Sequence, residues 1–503
     1  MGPKRVGGGG GKPAKKPDSN RKKKASSHSH QNVQQQQQQQ RQKRNDLDDD
    51  NDKEEIDLST GTIPLTLQQL LLNVFRYGLL EQIQDGQQQQ QEKELDIKSL
   101  IQTIKAHLYH RDFDSAFADA DEDLLRAYAL RWSAARALGY AGILKTVLRD
   151  GVFLRRRDDN DECDDVKDTV HVLCIGGGAG AEIVALAGMW RDMLDDEEED
   201  EKEEEARSGD NPVDTDKDNV TTTLAAGVED LSLNGGDDDN GGASTEDVEE
   251  TEKRKEERPA HIPSPKRRRR LLPNLSVTAV DIADWSTVVA RLSQTIHSSA
   301  VPGSKAHPSP LLPPLIEEGG EAGKGGGRGS SFSVSFKRLD VLSLTDDELR
   351  ALLWRDSHTQ AAAAAAAGTV LITLMFTLNE LFATSMAKAT QFLLRLTDLA
   401  APGTILLVVD SPGSYSTVSL GGKKTNNNGD DSGSSTAGQR HYPMKFLLDH
   451  TLLSVAVGKW DRILSHDSRW FRRDATRLRY DVGEGARLED MRYQIHVYRR
   501  LRD

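Results

Sequence analysis

HVLCIGGGAGAEIVALAGMW, His171 to Trp190, is the stretch on which the fold turns. An apolar run ends at Gly176, Gly177 and Gly178; Ala179, Gly180 and Glu182 follow, and then a helix-compatible apolar pattern. Strand, glycine turn and helix in that order open a nucleotide-binding α/β unit. Glycine lets the backbone adopt positive φ and pass close to a ligand, and the helix behind it offers unpaired N–H groups and a positive dipole end. The turn therefore suits an anion or a nucleotide. Its spacing leaves the ligand open. Gly176, Gly178 and Ala181 satisfy the dinucleotide form G-x-G-x-x-A. Gly176, Gly178 and Gly180 satisfy G-x-G-x-G, the form of a methyl-donor turn. A P-loop is excluded, because no Lys-Ser/Thr pair follows the glycines.

Outward from this stretch, short β-rich runs alternate with helical patterns, the signature of a doubly wound sheet. VHVLCI is the first strand, SVTAVDI (Ser276–Ile282) the second, and SFSVSFKRLDVL the third, ending near Asp340. TVLITLMFTL and GTILLVVDSPGS supply the fourth and fifth. WDRILSHDSRWFR holds a sixth and MRYQIHVYRR the last, and these two can form a hairpin. The expected fold is α/β: a seven-strand Rossmann-like sheet over residues 168–503, mostly parallel, with a reversed last strand. Dinucleotide folds more often end in further parallel units.

A carboxylate at the end of the second strand is what such a fold uses to hold ribose hydroxyls. Asp281 stands there, 105 positions after Gly176 instead of the usual twenty or so. Between them lies a stretch that is acidic, then rich in Asn, Asp, Gly and Ser, then basic at PSPKRRRR. Read as an insertion spanning Leu194 to Pro273, it accounts for 80 of those positions and restores the spacing to 25. Asp340, ending the third strand, falls where the sheet faces an adenine amino group. Trp285 either covers that base or packs beneath it.

The remainder divides by composition. Residues 1–57 form a basic, glutamine-rich tail expected to be disordered, with twelve Lys/Arg against one Asp up to Asn45. Residues 58–157 read as a helical N-terminal region with possible substrate contacts. In it Leu67, Leu70, Leu71, Val74 and Phe75 share one face. Arg131, Trp132, Arg136 and Tyr140 read either as a nucleic-acid contact or as core. Further loop insertions are expected at 304–330 and 416–439. The net charge of −14 argues against a generally nucleic-acid-binding chain, but the charge is segregated, and a local basic arm binds phosphates regardless. RKKK (Arg21–Lys24) and KRRRR (Lys266–Arg270) are nuclear-localisation candidates. Two cysteines, Cys163 and Cys174, give neither a disulfide framework nor zinc spacing, so no metal is expected. The alanine-led run Ala361–Leu378 is too weakly apolar to read as a membrane span.

Taken together, LYHRDFDSAF, AYALRWSAARALGY, VLCIGGGAGAE, VTAVDIADW, LMFTLNELF, LLVVDSPGSYS and LEDMRYQIHVYRR resemble the fungal large-subunit (25S) ribosomal RNA uridine-N3 methyltransferases, over about Leu65 to Arg500. The resemblance implies S-adenosylmethionine as cofactor, held by Gly176, Gly178, Gly180, Glu182, Asp281 and Asp340. It implies large-subunit ribosomal RNA or a pre-ribosome as partner, nuclear and nucleolar action, and no membrane or metal. One departure stands out: Cys174 occupies a position where an acid is commoner, so Glu182 or backbone groups take its contact with the donor's amino group. Asn379 and Asp410, after the fourth and fifth strands, are candidates for the chemistry, with helix capping and an Asx-turn as the competing readings. The alternatives are a methyltransferase acting on protein or a small molecule, and a non-catalytic ribosome-assembly protein of the same fold.

Overall fold

The computed structural model describes residues 56–58, 61–80, 95–110, 112–153, 169–208, 272–313, 331–354, 369–412, 417–419 and 441–502. The expected tail except residues 56 and 57, most of the expected insertion, and most of the other two loops lie outside these residues.

Seven strands form one sheet. In chain order they are β1 (Thr169–Ile175), β2 (Asn274–Asp281), β3 (Phe332–Arg338), β4 (Leu371–Met375), β5 (Ile405–Asp410), β8 (Trp460–Phe471) and β9 (Met491–Arg500); β6 (Thr417–Ser419) and β7 (His441–Pro443) pair apart from it. The spatial order is β3-β2-β1-β4-β5-β9-β8. The first five are parallel. β9 runs antiparallel to both of its neighbours. The order reverses between β1 and β4, and ligands of open α/β sheets bind at such a point, outside the carboxyl ends of the strands. The expected reversed strand is thus present, inserted between β5 and β8.

β1, β4 and β5 are buried on both faces, which is why they read as continuous apolar runs instead of alternating ones. Val172 and Cys174 join one hydrophobic cluster, Leu173 and Ile175 the other. The first is closed by α1 (Leu65–Leu80), α3 (Glu122–Tyr128), α4 (Ala134–Leu148), α5 (Ala181–Ser208) and α6 (Ser286–Ile296), with α2 (Ile97–His110) at its margin. The second is closed by α7 (Asp346–Leu353), α8 (Leu378–Thr384), α9 (Met386–Leu399) and α10 (Met444–Asp449). The N-terminal helices are therefore not a region apart, as the 58–157 boundary implied. Leu67, Leu71 and Leu144 share one core with β1, β2, β5 and β9. Helix-period apolar faces need a partner, and that of α1 packs on α4, α5 and α6, the helices that cover the sheet.

Other boundaries also shift. α5 does not stop at Leu194 but runs on to Ser208. Glutamate is a good helix former, and the acidic run is anchored near its start: Arg191 pairs with Asp195 at 2.8 Å, and the nearly buried Lys145 reaches Asp192 at 2.7 Å and Asp196 at 2.8 Å. The expected loop 304–330 is packed through residue 313: Leu311 and Leu312 are buried, and His307 meets the Thr66 hydroxyl at 2.7 Å. Thr417–Ser419, inside the expected loop 416–439, is β6. Part of the weakly apolar run is β4, and among the described residues no helix is long and apolar enough to cross a membrane.

Candidate active site

At the carboxyl ends of β1 to β4 lies a cleft, partly open to solvent. The glycine turn is its floor. Gly176 (φ 76°) and Gly180 (φ 83°) occupy the left-handed region that disfavours side chains. Gly178 is needed for space: a Cβ there would collide with the Trp285 ring. The Gly176 N–H donates to the Val280 carbonyl at 2.8 Å, tying the turn to the end of β2.

Asp281 stands where the sequence placed it. Its Oδ2 accepts the Gly178 N–H at 3.2 Å and its Oδ1 the Ala283 N–H at 3.2 Å. Burial pushes its carboxyl up to about 6, while those two amides pull the other way. The Trp285 indole N–H also eases this charge, without reaching hydrogen-bond geometry. Trp285 is 1% exposed and packs against Gly178, Tyr128 and Phe117, the packing reading, and it also lines the cleft. Asp340 lines the same cleft, its Oδ1 accepting the Leu342 N–H at 2.9 Å.

Glu182, in the first turn of α5, is 2% exposed and also reaches the cleft wall. Its Oε1 accepts the Thr373 hydroxyl at 3.0 Å, and burial lifts its carboxyl to about 8. Cys174 lies beneath the turn against Gly177, its thiol pushed well up by burial and by the Glu182 charge. A Glu182 carboxylate oxygen and Cys174 thus lie against the same glycine, Gly177.

The opposite wall came from segments with no recognisable spacing to the glycines. Phe113, Asp114 and Phe117 enter from the turn between α2 and α3. The cause of their absence from the sequence reading is plain: nothing in RDFDSAF marks it as facing a ligand. Arg136, on α4, donates to the Tyr128 hydroxyl at 3.0 Å, and its guanidinium lies 4.4 Å from the Phe376 ring centroid. Burial opposes its charge, yet the Tyr128 and Tyr140 hydroxyls and the Glu380 carboxyl more than offset that, raising its pKa. Phe376 carries φ 60°, a conformation costly for a bulky side chain and typical of functional sites. Glu380 lines the cleft nearby; burial and the Asp410 charge raise its carboxyl to about 8 against the pull of Arg136. Of the other three residues read as contact or core, Tyr140 is 1% exposed, Arg131 is buried and paired with Glu489, and Trp132 is half-buried with its ring 4.9 Å from that of Tyr128.

Asn379 and Asp410 are brought together, but by each other. Asp410 Oδ2 accepts the Asn379 backbone N–H at 2.9 Å and Oδ1 its side-chain amide at 2.6 Å. Asp410 therefore satisfies the start of α8 from the end of β5; neither side chain is among those lining the cleft. Among the described residues no group of carboxylate, histidine and cysteine side chains could hold a metal ion.

The cleft fits an adenosyl-amino-acid ligand. Carboxylates close β2 and β3, a glycine turn offers amides, and Ser133 Oγ on the wall is buried without a hydrogen-bond partner, the kind of polar atom that a bound polar ligand satisfies. Known proteins resemble this chain. A protein of Saccharomyces cerevisiae, 25S rRNA (uridine(2843)-N(3))-methyltransferase, is 28% identical over 441 residues, covering 86% of this chain and 85% of its own. A crystal structure of a SAM-dependent methyltransferase from Methanosarcina mazei covers 46% of this chain and 84% of that one, at 10% identity and a TM-score of 0.23. The family described as "Putative SAM-dependent methyltransferase" matches residues 84–499. The chain belongs to that family and is an S-adenosylmethionine-dependent methyltransferase.

Proposed function

We propose that this enzyme methylates N3 of a uridine in large-subunit ribosomal RNA, in the nucleolus during ribosome biogenesis. The observation that carries the reading is similarity to the yeast uridine-N3 enzyme across 86% of the chain.

The donor supplies a methyl group on a sulfonium; the chain's own residues bind, orient and handle a proton. Asp281 accepts the ribose hydroxyls, having oxygens already aligned by two backbone amides. Asp340 receives the adenine amino group. Glu182 answers the donor's ammonium in place of the acid missing at Cys174. The glycine turn allows close approach of the backbone. Such positioning is the larger part of catalysis for an in-line displacement.

N3 of uracil bears a proton that leaves as the new bond forms, and it lies on the pairing edge, so the base enters unpaired or flipped. Glu380 is the acceptor for that proton. It lines the cleft, and its raised proton affinity brings it nearer the operating pH than an ordinary carboxyl. Arg136 keeps a fixed positive charge beside it, suited to the uracil oxygen on which negative charge grows. Asn379 and Asp410 position α8, and with it Glu380.

The test is incubation with methyl-labelled donor and separate pools of large-subunit RNA, protein and metabolites, followed by mass spectrometry of digested RNA. Label in RNA as N3-methyluridine is expected. Label in protein or metabolites alone overturns the reading.

A further inference from the structure

We propose that Trp470, with Arg472 and Arg492, forms a docking platform for single-stranded RNA next to the target uridine. The proposal rests on the RNA reading above. β8 runs parallel to β5, so its last residues reach the same end of the sheet as the cleft. There Trp470 is 52% exposed. A ring so placed contributes little to a core and is open for a base to stack on. Register pairs Trp470 with Arg492 across the hairpin. The Arg492 guanidinium lies 5.9 Å from the Trp470 ring centroid and that of Arg472 5.1 Å.

The charges are available. Arg492 meets a neutral group, the Ser468 hydroxyl, at 3.1 Å. Arg472 is 71% exposed, and the carboxylate nearest it, Asp490, is engaged by Arg473 at 2.9 Å and stands 3.8 Å away. In a chain of net charge −14, an exposed aromatic flanked by two arginines is a local exception. Its chemistry is that of a nucleic-acid single strand: a ring to stack on a base, and cations for the phosphates on either side.

The platform is also coupled to the site. Gln494, two residues after Arg492, pairs with Asp410 in register and donates to the Ser411 carbonyl at 2.9 Å. Asp410 in turn holds Asn379, the neighbour of Glu380. By strand spacing and rise, Trp470 lies roughly 12 Å from Asp410, within reach of a nucleotide flanking the one in the cleft.

Fluorescence anisotropy of the full chain with a short labelled uridine-containing single-stranded RNA tests this. Trp470→Ala is expected to weaken binding roughly tenfold and Trp470→Phe to retain most of it. Arg472→Gln combined with Arg492→Gln is expected to lower the slope of log K against log salt by about 0.7 per lost phosphate contact. Donor affinity by calorimetry and the melting temperature are expected to stay as in the wild type. Wild-type RNA binding in both Trp470→Ala and the double arginine variant overturns the platform while leaving the RNA reading intact. A wild-type protein that neither binds nor methylates RNA overturns both.

Discussion

Glu182 and Asp281 differ in what they do at neutral pH, and the difference is measurable. Asp281, at about 6, is ionised at pH 7, so Asp281→Ala is expected to weaken donor binding by at least tenfold in calorimetry; unchanged affinity would sink the ribose assignment. Glu182 titrates near 8 folded, against 4.5 as a free glutamate. Between those values the native state holds a proton that the unfolded chain releases, so this residue's contribution to stability falls as pH rises through the window. Glu182→Gln should flatten that fall, by about 1.4 kcal/mol for each pH unit of the window, in denaturant melts run from pH 5 to pH 8. An ammonium placed beside Glu182 favours its charged form. Donor binding at pH 7 is then expected to release a proton, seen as a buffer-dependent binding enthalpy. Equal proton release by wild type and Glu182→Gln would show that the ammonium sits elsewhere. Glu380 has the complementary assignment. Glu380→Gln is expected to slow methyl transfer by roughly 10²–10⁴, to remove the rise of rate toward pH 8, and to leave donor affinity within a few-fold.

At the scale of elements, the strands were legible because the sheet's central members must be apolar on both faces and its loops must carry the carboxylates. Asp281 could be assigned despite 105 intervening positions because a strand end is a spatial address, not a sequence distance. What the same reasoning missed was the end of α5. Low hydrophobicity marked the acidic run as unfoldable, yet its first residues serve a helix already anchored in the core, with Asp196 completing the pair that Asp192 makes with the nearly buried Lys145. Nothing local announces that partner, 51 positions away. The two readings separate by deletion. Removing residues 209–271 is expected to leave the melting temperature and donor affinity close to wild type. Removing 194–271 takes Asp195 and Asp196 as well, leaving Arg191 and half of the Lys145 bridge without acids, and is expected to lower stability by about 1–3 kcal/mol, in the range for loss of one partner of a partly buried charged contact. Equal melting of the two deletions would show the extension of α5 to be idle. Phe113, Phe117 and Phe376 were illegible for another reason: their roles depend on a wall that forms only when the α2–α3 turn folds over the ends of β2 and β3, and an aromatic in such a turn looks like any core residue.

For the whole molecule, the division into a helical region and a catalytic domain is one of chain order only. Fourteen of the fifteen residues of α4 are buried. Leu67, Leu70, Leu71, Val74 and Phe75 of α1, each at most 1% exposed, belong to the cluster that also contains Val172, Val277, Leu407 and Val497. The helical period predicted which residues of α1 face inward, but not what they face, because the partners are helices far along the chain, α4, α5 and α6. The site is built across the same junction, with Asp281 and Glu182 on one side and Arg136, Tyr128 and Phe117 on the other. A fragment beginning at residue 157 would keep all seven main strands with α5 and α6 but lose α1 and α4, which pack on α5, α6 and β9. Each large apolar side chain so uncovered costs about 1.5–3 kcal/mol, so that about five of them approach the roughly 5–15 kcal/mol that separates a typical folded domain from its unfolded chain. That fragment is therefore expected to be insoluble, or to show strand content by circular dichroism without a cooperative melt, and to have no measurable donor affinity. The full chain is expected to melt in one transition shifted upward by S-adenosylmethionine, since a ligand that binds only the folded form stabilises it by mass action. A soluble 157–503 fragment with a sharp melt and wild-type donor binding would show that the sheet and its cleft are complete without α1 to α4, and would return those helices to the role of a separate substrate-binding region.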